Sequence, residues 1–368
     1  MPLVFVNLLQ STGTKGGIEI YARELYRALA ALETEFEFVG YASSELWEGD
    51  HSWFPGEVVN SGISGENRLT WARGELLSVA PAADKAGADL IHGPAMFGPL
   101  RSKLPVVVSM HDMLYFSHPQ LMQTKLYTEP VKWMERRGAA NATRLITISE
   151  YSASGIRRYL GFPDDHIDVI PLAGRSSDVP AGKPPVRRAD LFLSIGQRSP
   201  YKNFESVVRG WATIPEAERP QLVITGSHGE DPLLPVVAEL GLERWVELKS
   251  WVSTEELGTL FATATALIDP TIATGFSMPT LEAMNIGLPV LLSGSEVFHE
   301  VGGDAADYFI PGDATDIGRA VRELAGNPDR QAELSRLGRE RASQFSWERV
   351  ARETAESFRL AIAEGKRR

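Results

Sequence analysis

The chain has 368 residues, which is long for one domain and fits two domains of about 150–200 residues each. Its composition, 43% hydrophobic and 23% charged, is that of a globular protein, and its net charge of −11 argues against a nucleic-acid binder, whose phosphate contacts need a basic face. Cysteine is absent, which excludes disulfides and thiolate metal sites, and no apolar run of about eighteen residues is present to span a membrane. The first residues lack the basic start and cleavage site of a signal peptide, so we expect a cytoplasmic protein.

Short apolar runs alternate with helical patterns through the first half of the chain. The first run, "PLVFVNLL" at residues 2–9, precedes a glycine loop and a stretch in which Tyr21, Leu25 and Leu29 recur at helical spacing. Further strands are predicted in "FEFVGYA", "ADLIHGP", "LPVVVSMHD" and "ATRLITISE", and helices in "YTEPVKWMERRGAANA" and "SEYSASGIRRYLG". This alternation predicts a doubly wound α/β domain with a parallel sheet.

The amino-acid composition changes at residues 168–188, which are rich in Pro, Gly and Ser. We interpret this segment as a linker. Alternation then restarts with "LFLSIGQ", a helix from about residue 203, "QLVITGS", "WVELKSWVS", "TALIDPT", "LPVLLSG" and "YFIPGD". The last residues predict an amphipathic helix. We therefore expect an N-terminal domain at 1–172, a C-terminal domain at 173–345 and a final helix at 346–368.

Ligands of open α/β sheets bind beyond the carboxyl ends of the strands, so we expect the ligand-binding and catalytic residues on the loops at those ends. Gly16 and Gly17 open the first helix, where backbone can approach a phosphate or sugar, although such glycines are as often structural. His111, followed by Asp112, comes just after an apolar strand and is a candidate partner for a sugar hydroxyl or a developing charge. His92 is a weaker candidate of the same kind, and His118 is interpreted as a loop residue.

Two loops of the second half carry candidate phosphate ligands. After a predicted strand, Gly196 turns the chain, and Arg198 and Lys202 flank a proline turn before a helix, an arrangement that suits a diphosphate. In "TIATGFSMPTLEAM", Pro279 predicts a helix start with Glu282 in its first turn. The free amides before it would receive phosphate oxygens, and Glu282 would accept a vicinal diol such as that of a ribose. These amides belong to Gly275, Phe276, Ser277 and Met278.

These motifs, in this order, resemble a family 4 retaining glycosyltransferase over nearly the whole chain. The matching stretches include "GGIEIYARELYRAL", "SMHDMLYFSHPQL", "SIGQRSPYKNF" and "GFSMPTLEAMNIGLPVL", of which the last is the most specific. The resemblance implies the GT-B fold, in which two Rossmann-like domains face each other across a cleft and the final helix returns to the N-terminal domain. It also implies that the leaving phosphate helps to deprotonate the acceptor, without a metal or other cofactor.

The resemblance also assigns partners and site residues. A nucleotide-sugar donor, linked to GDP, UDP or dTDP, is expected in the C-terminal domain, and a glycan or lipid-linked acceptor in the N-terminal domain. Arg198 and Lys202 map onto the donor phosphates, Glu282 onto the ribose, and His111 onto the transferred sugar; Glu282 and His111 are the expected catalytic pair. The remaining expected donor contacts are Gly16, Gly17, Gly196, Val252, Thr274 and the backbone of residues 275–278.

Two positions depart from the family pattern. Thr274 stands where the family usually has a glutamate that contacts the transferred sugar, and Gln197 stands where an arginine commonly follows the strand glycine. Thr274 leaves open a changed donor sugar or a non-catalytic nucleotide-sugar binder, and a sugar-nucleotide 2-epimerase of the same fold is the nearest enzymatic alternative. A nicotinamide dehydrogenase is disfavoured, because the G-x-G-x-x-G fingerprint is missing.

The segment 121–144 is a candidate contact with an anionic membrane. It holds five cations, Lys125, Lys132, Arg136, Arg137 and Arg144, against Glu129 and Glu135, a net charge of +3, with Leu126, Tyr127, Val131 and Trp133 nearby. The alternative is a solvated helix face, which is the commoner origin of such a run.

Overall fold

The computed structural model describes residues 1–13, 16–122, 124–175, 188 and 190–366. The chain divides into two compact units. The first contains Met1–Leu172 and Ser346–Arg368, and the second contains Ala173–Phe345.

The first unit is built on a seven-stranded sheet with the order β3-β2-β1-β4-β5-β6-β7. Every neighbouring pair is parallel. The strands β4, β5 and β6 are buried along their whole length, as expected when helices cover both faces. The strand bounds are β1 Leu3–Leu8, β2 Glu37–Ala42, β3 Glu57–Asn60, β4 Leu90–Gly93, β5 Val106–Ser109, β6 Arg144–Thr147 and β7 Ile167–Val169.

The second unit is built on a six-stranded sheet with the order β10-β9-β8-β11-β12-β13, again parallel throughout. Its bounds are β8 Leu191–Ile195, β9 Gln221–Ser227, β10 Val246–Ser250, β11 Ala266–Asp269, β12 Val290–Ser293 and β13 Asp307–Phe309. The loops that follow β8 and β11 are neighbours, because these two strands pair at the centre of the sheet.

Helices connect the strands of both units. Those up to residue 160 are α1 Gly16–Ala31, α2 Ser44–Glu48, α3 Arg68–Leu77, α4 Val79–Ala86, α5 Leu114–Ser117, α6 Lys125–Asn141 and α7 Glu150–Leu160. The second unit adds α8 Phe204–Thr213, α9 Leu234–Glu239, α10 Thr254–Thr263, α11 Met278–Asn285, α12 Glu296–Gly302, α13 Ala314–Ala325 and α14 Pro328–Ala342, and the chain ends with α15 Trp347–Gly365. In the described part of the chain, no helix combines the length and apolar character needed to cross a bilayer.

The C-terminal helix α15 packs in the first unit, against α1. Its fully buried Phe358 meets Phe36 edge to face, with ring centres 5.7 Å apart, and contacts the ring of His92 at 5.0 Å. Near its end, Glu364 pairs with Arg144 of β6 at 2.9 Å. The helix is therefore held by apolar contacts along its length and by an ion pair at its last turn.

The prediction of two parallel α/β sheets is confirmed, with differences at the margins. Residues 167–169 form the edge strand β7, so the predicted linker begins too early. Residues 176–187 and 189 of that linker lie outside the described residues. The short strand β3 and the helices α3 and α4 were not predicted, because their sequences show weak periodicity and packing on their neighbours decides their conformation.

Candidate active site

The start of α11 is fixed to the central strand β11 by a buried carboxylate. Asp269 is the last residue of β11 and is 6% exposed. Its Oδ2 accepts a hydrogen bond from the Ser277 hydroxyl at 3.0 Å, and its Oδ1 accepts the Thr271 backbone N–H at 3.1 Å. The same Ser277 hydroxyl caps the helix by accepting the N–H of Thr280 at 3.4 Å. One carboxylate thus holds both ends of the loop.

The backbone N–H groups of residues 275–278 have no acceptor among the described residues. Within this loop, the Thr274 hydroxyl donates to the carbonyl of Phe276 at 2.8 Å. Unpaired amides and the positive end of a helix dipole face the same place, and such an arrangement binds an anion. The hydroxyl of Ser277 is already committed to Asp269, so of this serine only the N–H remains for a ligand.

Glu282 lies in the second turn of α11, which corrects the expectation of a first-turn carboxylate. The helix begins at Met278, Pro279 is its second residue, and Glu282 is its fifth. The Glu282 side chain is 8% exposed and pairs with Arg175, whose Nε donates to Oε1 at 2.7 Å and whose Nη2 donates to Oε2 at 3.3 Å. Its charge is therefore compensated within the unit.

Lys202 stands beside this loop. It follows β8, and the carbonyl of its neighbour Tyr201 accepts the N–H of Ile272 at 2.9 Å, which ties the β8 and β11 loops together. Gly196 has φ +148°, and a Cβ there would lie 3.3 Å from the Phe204 ring and 3.6 Å from the Lys202 methylenes. The positive φ favours glycine at this position, and the lysine stem packs directly against it. No described carboxylate lies within 4 Å of the Lys202 ammonium, so its charge is available to an anion.

Arg198 does not have the role expected from the sequence. Its side chain is 6% exposed and pairs with Asp231, with Nη2 at 2.8 Å from Oδ2 and Nε at 3.1 Å from both oxygens. Nη1 donates to the carbonyls of Gly196 and Thr225 at 2.9 and 2.8 Å, and Nη2 also donates to that of Ile224 at 3.1 Å. All three guanidinium nitrogens are used inside the protein, so Arg198 fixes the loop, and a phosphate would have to displace these contacts to bind it.

In the first unit, His111 is buried and neutral. Its Nε2 lies 2.9 Å from the carbonyl of Pro94, and its ring meets Tyr21 edge to face with centres 4.6 Å apart. Because a carbonyl only accepts, Nε2 carries the proton, and Nδ1 is left as an acceptor. Burial lowers the pKa of His111 to about 4. The ring can therefore accept a hydrogen bond from a hydroxyl but does not supply a positive charge at neutral pH.

His92 belongs to a buried polar network of the first unit. Its Nδ1 lies 2.6 Å from the Tyr26 hydroxyl, its Nε2 lies 3.0 Å from the Ser109 hydroxyl, and Ser109 in turn bonds the Tyr21 hydroxyl at 2.9 Å. The ring is fully buried, and burial lowers its pKa to about 3. This network joins α1 to β4 and β5 beneath His111, so His92 is structural.

The glycine loop before α1 is closed by a carboxylate of the helix itself. Glu19, in the first turn of α1, accepts the N–H groups of Thr12 at 3.2 Å and Gly13 at 3.0 Å. Gly16 is the first residue of the helix, and Gly17 is exposed. Residues 14 and 15 lie outside the described part of the chain.

At the edge of the second sheet, an exposed aromatic pair stands next to Val252. Val252 is half-buried in the loop after β10. The preceding Trp251 is 59% exposed and stacks on His228, with ring centres 5.3 Å apart and an angle of 21° between the rings. The two rings follow the carboxyl ends of the neighbouring strands β10 and β9 and present a flat surface at the same edge as the α11 loop.

Only some side chains of the basic segment 121–144 are exposed. Val131 is buried, and Arg144 is 5% exposed and engages Asp168 at 2.7 Å as well as Glu364. Glu135 is 1% exposed, and neither of its oxygens has a hydrogen-bond partner in the described residues. Burial raises the pKa of Glu135 well above its ordinary value, and the nearby charge of Asp112 raises it further. The net charge of +3 counted from the sequence therefore does not describe the exposed face.

Comparison with known proteins agrees with this arrangement. The model of Glycosyltransferase Family 4 matches residues 15–173, and that of Glycosyl transferases group 1 matches residues 181–341. The chain is 29% identical to O-antigen chain mannosyltransferase B of Escherichia coli over 74% of either chain. It is 26% identical to the MMP alpha-(1->4)-mannosyltransferase of Mycolicibacterium hassiacum over 84% of this chain and 81% of that protein.

The chain consists of a Glycosyltransferase Family 4 domain followed by a Glycosyl transferases group 1 domain, which together cover most of its length. Its fold is that of sucrose-phosphate synthase from Thermosynechococcus elongatus, with a TM-score of 0.78 at 20% identity over 99% of this chain and 100% of that chain. The family and the GT-B fold predicted from the motifs are thereby confirmed.

Three residues that organise this family 4 site were missed in the sequence. Asp269 looks like an ordinary strand end, Asp231 lies 33 residues from its partner Arg198, and Arg175 lies 107 residues from Glu282 in the predicted linker. Neither long-range pair has a local spacing signal. Arg198 and Asp231 follow the neighbouring strands β8 and β9, and Arg175 reaches α11 from the segment between β7 and β8, so each pair forms only in the folded unit.

Lys202 and Arg198 are expected to respond differently to removal. Lys202→Ala should weaken nucleoside-diphosphate binding by about 1.5–3 kcal/mol, as for a lost charged hydrogen bond, and leave the melting temperature unchanged. Arg198→Ala should destabilise the fold by roughly 3–5 kcal/mol, because it leaves Asp231 buried without its partner. Calorimetric titration and thermal unfolding measure the two effects, with exposed Arg209→Ala as the control. An Arg198→Ala protein of unchanged stability and lost binding would restore the phosphate role.

Proposed function

We propose that the protein transfers a hexose or modified hexose from a nucleotide-diphosphate sugar to a hydroxyl of a glycan or lipid-linked acceptor, with retention of configuration. The observation that carries the donor assignment is that, among the described residues, the amides at the start of α11 have no acceptor and the neighbouring Lys202 has no carboxylate partner. Amides, a helix N-terminus and a fixed cation together suit a diphosphate. Glu282, in the following turn, is the ribose ligand of this proposal.

The donor sugar is proposed from the relatives and from the pocket. Two relatives bear the name mannosyltransferase, so mannose is the first sugar to test, on GDP and then on UDP or dTDP. Thr274 offers a hydroxyl where a carboxylate would grip two sugar hydroxyls, and its hydroxyl already donates to Phe276. A sugar that lacks a hydroxyl or carries an extra substituent would be tolerated there.

The proposed chemistry follows from where charge develops. As the sugar–phosphate bond breaks, the leaving diphosphate gains charge, which Lys202 and the 275–278 amides stabilise without a metal ion. The same phosphate helps to deprotonate the acceptor hydroxyl on the face that it leaves, so no enzyme nucleophile is required. His111, neutral and with Nδ1 as an acceptor, holds a hydroxyl of the transferred sugar.

We also propose that the first unit rests on an anionic lipid surface. The α3–α6 surface consists of Arg68, Leu69, Leu126, Trp133 and Arg137. Leu69 and Leu126 are 85% and 88% exposed, and the Arg68 guanidinium lies 4.4 Å above the Tyr127 ring, which joins the starts of the two helices. Exposed apolar side chains beside arginines suit a membrane that carries a lipid-linked acceptor.

The experiment that tests the donor assignment is a thermal-shift panel of nucleoside diphosphates and their sugars, followed by transfer of labelled sugar. A diphosphate that binds the folded state raises the melting temperature, and the matching sugar nucleotide should label an acceptor fraction. His111→Ala should bind the diphosphate as the parent protein does and transfer sugar about 10–100-fold more slowly, since a sugar-hydroxyl contact is lost. If no nucleotide raises the melting temperature, the proposal fails; binding without transfer by the parent protein would favour the non-catalytic binder.

Thr274→Glu is expected to shift donor preference towards fully hydroxylated hexoses. A carboxylate accepts two sugar hydroxyls, and a site built around such contacts discriminates strongly against sugars that lack them. Competition between a deoxy or substituted donor and its unmodified hexose, compared as kcat/KM, measures the shift, which we expect to reach about tenfold or more. Thr274→Ser is the control. If the parent protein already prefers the unmodified hexose and the variant keeps that ratio, Thr274 does not select the donor.

Binding to vesicles that contain phosphatidylglycerol should exceed binding to phosphatidylcholine vesicles and should fall with salt. The double variant Leu69→Asn, Leu126→Asn is expected to lower partition roughly tenfold, since two apolar side chains no longer enter the interface. Leu234→Asn, at a half-exposed leucine of the second unit, is the matched control. Equal binding by the double variant and its control would exclude this surface.

A further inference from the structure

The carboxylate proposed to bind the ribose is a buried charge held by one arginine. Glu282 is 8% exposed at its side chain, whereas Arg175 is 35% exposed. Removing a carboxylate from water is costly unless a cation and hydrogen bonds replace the lost solvent. The Arg175 contact therefore supplies the charge compensation for a buried acid of α11.

The contact also fixes the orientation of Glu282. Arg175 Nε donates to Oε1 at 2.7 Å, Nη2 donates to Oε2 at 3.3 Å, and the Arg175 backbone N–H lies 3.4 Å from Oε1. A planar guanidinium that meets both oxygens defines the plane of the carboxylate, which a single ammonium does not. An ionised carboxylate has about four acceptor positions on its two oxygens. The three Arg175 contacts use both positions of Oε1 and one of Oε2, so one position on Oε2 stays available to a second ligand.

Backbone packing brings the arginine to this place. A Cβ on Gly174 would lie 3.0 Å from the Glu282 backbone nitrogen and 3.1 Å from the Asn285 side-chain nitrogen. The segment before Arg175 therefore lies directly against α11, and only a small residue fits there without a shift. The arginine is anchored to the same helix as its partner, so the ion pair holds its geometry.

The remaining acceptor position, on Oε2, can take a hydroxyl of a ribose. We propose that Arg175 is a positioning residue that holds Glu282 ready for a ribose hydroxyl and thereby makes the site prefer nucleotides with ribose hydroxyls over their 2′,3′-dideoxy counterparts. This rests on the proposed function, in which Glu282 is the ribose ligand. In this proposal Arg175 acts through Glu282.

The test compares GDP and UDP with their 2′,3′-dideoxy counterparts by calorimetric titration. The parent protein should bind the ribonucleotide about 10–100-fold more tightly, since hydrogen bonds to a charged group are lost in the dideoxy form. Arg175→Gln should lose most of this ratio while keeping its affinity for the dideoxy nucleotide, and Arg175→Lys should keep part of it. Glu282→Gln should lose the ratio as well, and the double variant should be no worse than Glu282→Gln alone, because the two residues act as a unit.

Arg209→Gln, at an exposed arginine of the same unit, is the control for the loss of a surface charge. An Arg175→Gln protein that keeps the parent ratio overturns the proposal. So does one that weakens both nucleotides equally, which would indicate a general structural role, or one that binds the ribonucleotide more tightly, which would mean that the ion pair competes with the ribose. If the parent protein binds no nucleoside diphosphate, the proposed function fails instead, and that result is separate from any change in the ratio. Arg175→Lys keeps the charge and supplies the comparison if Arg175→Gln does not fold.

Discussion

The hydrogen bonds of Asp269 are the constraint on which the second unit's site depends. This carboxylate ends the central strand β11 and holds both Thr271, at the start of the loop, and Ser277, the cap of α11. Because the hydroxyl of Ser277 is committed to Asp269, the helix start keeps one position relative to the sheet. The N–H groups of residues 275–278 then have no acceptor in the described part of the chain. The proposed anion site would depend on backbone groups whose position a buried acid has fixed in advance.

The distribution of arginine partners decides which cation is available. Arg198 is used by Asp231 and three carbonyls, Arg175 by Glu282, and Arg144 in the first unit by Asp168 and Glu364. Each of these pairs satisfies a carboxylate that packing has removed from much of the solvent, so none is a free charge. Lys202 has no such partner among the described carboxylates, and its stem lies over Gly196. The residue types alone do not separate these cases, since both Arg198 and Lys202 come in one short loop.

In the first unit, burial shifts the pKa values of two histidines and one acid and thereby sets their charge. Hydrogen bonds with Tyr26 and Ser109 hold the fully buried, neutral His92 between α1 and the sheet. His111 is also neutral, but its second nitrogen is left as an acceptor, which is what a sugar hydroxyl needs. Burial raises the pKa of Glu135, whereas it lowers those of the two histidines. The carboxyl group has no hydrogen-bond partner among the described residues, so it does not contribute a negative surface charge. Counting charges along the segment 121–144 therefore overstates its exposed acidity, through Glu135, and its exposed basicity, through Arg144.

The sequence by itself determined the fold class and the family of this protein. Alternating apolar strands and helices predict two parallel sheets, and the ordered motifs around His111, Lys202 and Glu282 predict a family 4 glycosyltransferase, because periodicity and motif order are local properties of the chain. The commitment of Arg198 to Asp231, of Arg175 to Glu282 and of Ser277 to Asp269 was decided only by the tertiary structure. Arg198 and Asp231 follow two different strands, Arg175 reaches α11 from the segment between β7 and β8, and Ser277 caps the helix that follows Asp269. The burial that makes each pair necessary arises only in the folded unit.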